Sequence, residues 1–147
     1  MDFPAGLREN PFFRNMTDAQ VNSVLSLARE KDFEGGETLV RQFDKNSDMM
    51  IVIRGKVAIK TFSGEVIAEL MPGGVIGEVS LVDEAPRSAS AIAIYHTTVA
   101  ILESAKLHEV LDSDPSLKAV VMENVARILS ARLRAANVHL DASGIRR

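Results

Sequence analysis

The chain has 147 residues, 46% apolar and 25% charged, with a formal net charge of −3 and a pI near 5.6. These values fit one globular domain with a sizeable core; they exclude a disordered chain and argue against a basic nucleic-acid-binding surface. With no cysteine, disulfides, thiolate metal sites and cysteine nucleophiles are also excluded.

The start, MDFPAGLRENPFF, has no basic stretch leading into an apolar run, so it is not read as a secretory signal. No apolar segment approaches the ~20 residues of a bilayer span, and a cytoplasmic location is expected. Residues 1 to about 31 read as a helical segment. Within it Thr17 is a candidate N-cap, with Gln20 three residues on as in a capping box. Val21, Val24, Leu25 and Leu27 supply the apolar face.

From Asp32 to Glu103 the pattern changes to short β-branched runs. ETLVRQF, MMIVIRG, KVAIKTF, EVIAELM, SASAIAIY and TVAILE are the clearest strands, with Gly and Pro punctuating them. Many short strands predict a β-barrel or jelly roll, mainly β with flanking helices.

Residues 104–143 return to helix. Ser104 is a candidate N-cap for a short helix; Asp114 is one for a second, with Pro115 in its first turn. That second helix can run to about Leu140, roughly 39 Å at the usual rise. Leu117, Val121, Val125, Ile128, Leu129 and Leu133 form its apolar stripe, expected to pack on the β region. Arg132 interrupts any clean heptad, and Arg127, Arg132 and Arg134 read as a solvated face. Gly144 ends the pattern. The whole chain, 1–147, reads as a single domain.

The stretch with the most chemistry is GGVIGEVSLVDEAPRSA, residues 73–89. Gly77 permits close approach of the backbone, and a short helix begun by EVSLV would offer the N–H groups of Val79 and Ser80 to an anion. The guanidinium of Arg87 can meet two oxygens of a phosphodiester at once. Glu78 can accept from a sugar hydroxyl, Ser88 can donate to the phosphate, and small Ala89 leaves room for it. The set fits a cyclic phosphate sugar.

At these residues the chain resembles the cyclic nucleotide-binding domain family, with GE followed by PRSA looking like its phosphate-binding cassette. NPFFRNM is similar to the family's N-terminal helical lead-in, FEGGETLVRQFDKNSDMMIVIRGKVAI to its first strands, and LMPGGVIGE to the approach to the cassette. The resemblance implies a jelly-roll-like β-roll (a double-stranded β-helix) between N-terminal and C-terminal helices. It implies that Arg87 pairs the cyclic phosphate, that Glu78 holds the ribose 2′-hydroxyl, and that Gly77, Val79, Ser80, Ser88 and Ala89 complete the grip. Ile59 and Ile67 would pack against the base. Asn137 would reach it from a final helix that swings in as a lid.

Two departures from the family pattern stand out. Gln42-Phe43-Asp44 replaces the usual Gln-Gly-Asp turn. After the long helix only DASGIRR remains, where transcription-regulating relatives continue into a DNA-binding helix-turn-helix.

The expected function is therefore a non-catalytic sensor of cyclic nucleotide, cAMP before cGMP, that moves its C-terminal helix on binding. The alternatives are a module of the same fold that no longer responds to nucleotide, or a fragment of a larger cAMP-regulated transcription factor, channel or enzyme. The expected partners are the nucleotide and an unidentified protein effector, without direct nucleic-acid or membrane binding. The expected state is a monomer or a homodimer through the C-terminal helix. No cofactor is expected. His96, His108 and His139 have no metal-ligand spacing and read as surface residues.

Overall fold

The computed structural model describes residues 1–142, with side chains to Val138. Gly144 and the end of the helical pattern lie outside the described residues, as does the side chain of His139.

The chain enters through two 3-10 turns, Ala5–Glu9 and Pro11–Phe13, and helix α1 (Asp18–Leu25). The capping box forms as the sequence predicts: Thr17 Oγ1 accepts from Gln20 N at 3.1 Å, and Gln20 Oε1 accepts from Thr17 N at 2.9 Å. The helical zone ends earlier than predicted. Strand β1 (Arg29–Phe33) begins within it, carrying REKDF, whose first four residues are exposed. Apolar alternation is missing there, so β1 owes its strand state to its ladder with β8.

The remaining strands are β2 (Thr38–Val40), β3 (Met49–Arg54), β4 (Val57–Lys60), β5 (Val66–Leu70), β6 (Val75–Ile76), β7 (Ser90–Ala93) and β8 (Thr97–Leu102). They make two antiparallel four-stranded sheets, ordered β1-β8-β3-β6 and β2-β7-β4-β5, rather than a closed barrel. The jelly-roll-like class holds.

Sheet β1-β8-β3-β6 is covered on both faces. On β3, Met50 and Val52 join Phe33, Val57, Ala91, Val99 and Ile101 in the core between the sheets. Met49, Ile51 and Ile53 join Phe12, Phe13, Leu107, Leu117 and Val121 in a second core under the helices. That is why MMIVI is a continuous apolar run instead of an alternating one.

Helices α2 (Ser80–Asp83), α3 (Ser104–Ser113) and α4 (Pro115–Ala142) complete the chain. Ser104 is the first residue of α3 rather than its cap; its N–H is satisfied by Asp48 Oδ1 at 2.9 Å. Asp114 does cap α4, with Oδ1 accepting from Leu117 N at 3.1 Å. The predicted stripe on α4 divides. Leu117, Val121 and Val125 are buried and Ile128 packs at the edge of the core, whereas Leu129 and Leu133 are exposed. The expectation of a stripe packed along its whole length is corrected: the helix leaves the core after about three turns.

Candidate functional site

The cassette begins where β6 ends. Gly77 has φ +88°, a region an L side chain rarely adopts, and a Cβ there would meet the guanidinium of Arg87. Glu78 and Val79 follow, then the single turn of α2, which Glu84 ends with a left-handed backbone. Pro86 leads into Arg87, and β7 starts at Ser90.

Arg87 is 4% exposed and its backbone is clamped to the β2–β3 turn. Phe43 N donates to Arg87 O and Arg87 N donates to Asp44 O, both at 2.8 Å. The turn that lacks its usual glycine closes regardless. Phe43 itself takes φ +75°, with its exposed ring against Phe62, the centroids 6.1 Å apart. The guanidinium donates to Asp48 O at 2.5 Å, Asn46 Oδ1 at 3.4 Å and Ser80 Oγ at 3.4 Å. Burial pushes the Arg87 pKa below its usual value, and the nearby carboxylates of Asp48, Asp44 and Glu78 push it back. Its Nε has no hydrogen-bond partner among the described residues.

Glu78 is likewise 4% exposed. Its Oε1 pairs with Arg132, reaching across from α4, while its Oε2 is buried without a partner among the described residues. A buried carboxylate and a buried guanidinium, each keeping an unused polar atom, mark a place built for a ligand rather than for stability.

Both residues line one cavity of about 330 Å³, within the range of small-molecule sites. Gly77, Val79, Ser80, Ser88 and Ala89 line it too, together with Ile59 of β4 and Ile67 of β5. Its polar lining comes from Glu78, Ser80, Arg87, Ser88, Ser90 and Arg132. Its β wall is apolar, through Val40, Ile59, Ile67, Ala68 and Leu70.

Asn137 does not line the cavity and is exposed, about one turn beyond Arg132. In this arrangement α4 presents Arg132 to the site instead. Sequence reasoning placed Arg132 on a solvated face, because its partner is 54 residues away in the chain and nothing local announces it. Asn46 and Asp48 were missed for the same reason. Among the described residues no three His, Asp or Glu side chains group to hold a metal ion.

The family model for the cyclic nucleotide-binding domain matches residues 30–114, more than half of the chain. This chain belongs to the cyclic nucleotide-binding domain family. The cyclic AMP receptor protein of Thermus thermophilus is 31% identical over 139 residues, covering 92% of this chain and 62% of the receptor. A cAMP-dependent protein kinase regulatory subunit of Blastocladiella emersonii is 26% identical over 123 residues, covering 81% of this chain and 30% of that protein. This chain thus spans less than two thirds of these relatives.

Among solved structures, the Thermus thermophilus catabolite activator protein superposes with a TM-score of 0.77 over 92% of this chain and 63% of that one, at 31% identity. A putative cyclic nucleotide-binding protein from Geobacter metallireducens superposes at 0.73, with 29% identity and coverage of 90% and 99%. The family match spans the cassette, so the resemblance read from GE and PRSA falls inside it. Among the described residues no helix is long and apolar enough to cross a membrane.

Proposed function

We propose that this domain is a non-catalytic cyclic-nucleotide sensor that binds cAMP at Arg87 and Glu78 and reports binding through α4. The observation that carries this reading is the pair of buried, incompletely satisfied charges facing one cavity of nucleotide size. The cyclic phosphate meets Arg87 and Ser88, and the ribose hydroxyl meets Glu78. Relatives described as a cyclic AMP receptor and as cAMP-dependent kinase subunits support cAMP as the ligand.

The base faces the apolar β wall of Ile59 and Ile67. No polar side chain there distinguishes adenine from guanine by hydrogen bonding, so cAMP should bind at least as tightly as cGMP, with modest discrimination.

Glu78 also supplies the link to α4. Arg132 occupies Oε1 of that carboxylate and leaves Oε2 for a ribose hydroxyl, so nucleotide shifts α4 to the extent that it binds better with Arg132 moved than with Arg132 in place. Asn137 reaches the base only if α4 shifts in that way.

Calorimetry with cAMP and cGMP on the wild type and on Arg87→Ala tests the assignment. Loss of one side of a buried charge pair costs ~2–5 kcal/mol, a fall in affinity of about 30- to several-thousand-fold. A folded Arg87→Ala variant with undiminished cAMP affinity would overturn it.

A further inference from the structure

Phe43 stands where the family pattern has glycine, and burial does not offset what that costs. Its backbone takes φ +75°, a left-handed conformation that disfavours a bulky side chain. Phe43 is 63% exposed, and Phe62, whose ring it meets, is 83% exposed. The ring centroids lie 6.1 Å apart with the planes tilted by 53°, within the range of attractive aromatic pairs. Strain and two wetted rings do little for the stability of a fold. Backbone outliers of this kind concentrate where position serves a site.

The two rings join the two parts of the site. Phe43 belongs to the β2–β3 connection, which holds the Arg87 backbone through Phe43 and Asp44 and its guanidinium through Asn46 and Asp48. Phe62 lies in the turn of the β4–β5 hairpin. Strand β5 is an edge strand bonded to β4 alone, and the ladder of β4 with β7 ends at Lys60–Ser90. Past that rung the turn closes on itself: Thr61 N donates to Glu65 O and Gly64 N to Thr61 O, each at 2.9 Å. The same hairpin carries Ile59, Ile67, Ala68 and Leu70 of the apolar cavity wall. Phe43 and Phe62 thus tie the connection that grips the arginine to the hairpin that forms the wall.

We propose that Phe43 and Phe62 are positioning residues, a surface clasp that fixes the spacing between the Arg87 grip and the β4–β5 wall. Neither ring lines the cavity, so the clasp acts on affinity from outside it. Its consequence for nucleotide rests on the binding reading above. A ligand that touches both parts needs them at one separation, and its apparent affinity falls with the fraction of molecules that keep it.

Phe43→Gly separates this role from a purely structural one, because it relieves the left-handed strain while removing the ring. Its melting temperature should equal or exceed that of the wild type, whereas cAMP affinity should fall about 2- to 12-fold, the factor an aromatic pair supplies. Phe62→Ala, at an exposed position, should leave melting nearly unchanged and lose a similar factor. The double variant should lose no more than either single one, and Phe62→Tyr should keep wild-type affinity. Undiminished affinity in both single variants, losses that multiply in the double variant, or melting lowered in step with affinity overturns the clasp. Without nucleotide, the amides of Thr61 and Gly64 should exchange faster in either variant, and unchanged exchange overturns it as well. If the wild type binds no cyclic nucleotide, the binding reading falls, and the exchange alone decides whether the clasp stands.

Discussion

Gly77 and Phe43 both take positive φ, yet only one of them needs to be glycine. At Gly77 an added methyl would meet the Arg87 guanidinium and, at 3.0 Å, the backbone oxygen of Asp48. At Phe43 the side chain turns to solvent against Phe62, so the left-handed backbone is the only penalty. Gly77→Ala should accordingly cost about 1–2 kcal/mol in backbone strain alone, lowering Tm by a few degrees, and should displace Arg87. A thermal melt combined with cAMP titration checks both, and a variant with wild-type melting and wild-type affinity would contradict the close approach.

The same scale shows what the sequence made readable. The cassette was legible because its glycines, carboxylate, arginine and hydroxyl lie within one short stretch and share one chemistry. Arg132, Asn46 and Asp48 were not, because each acquires its role from a side chain or backbone group that folding brings from far along the chain.

Among the described residues, a single polar side chain joins α4 to the entry segment. Asn124 is 1% exposed, and its amide nitrogen donates to Phe12 O and Arg14 O, each at 2.8 Å. Asn124→Leu keeps the branched shape but leaves two carbonyls unmatched, costing about 2–4 kcal/mol. Urea denaturation should show the lower midpoint without a changed slope. A variant as stable as the wild type would mean that water replaces the amide at no cost.

Element type was well signalled where local chemistry acts alone, as in the Thr17–Gln20 box and the Asp114-Pro115 start. It was poorly signalled at β1 and β6. The first is charged and exposed, and the second is only two residues long, so both are strands through their partners' ladders.

For the whole molecule, the division of α4 governs what can move. Its first turns share the core with Phe12, Phe13 and Leu107, whereas beyond Ile128 every described side chain is exposed, and among the described residues Arg132 alone ties that part back to the β domain by an ion pair. Roughly three turns of helix, from Leu129 to Val138, therefore rest mainly on their own backbone ladder. Exchange protection should fall along α4 from the level of global unfolding at Val121 to a small value past Leu133. Uniform protection along the helix would show that something covers the distal part.

Isolated helices of that length are marginal in water. The distal part of α4 should thus fray under conditions in which the β sheets stay intact. A hand-hold as small as one guanidinium on one carboxylate is comparable in energy to the balance between ordered and frayed states. Whatever takes Glu78 from Arg132 can therefore write its presence into the length of the helix.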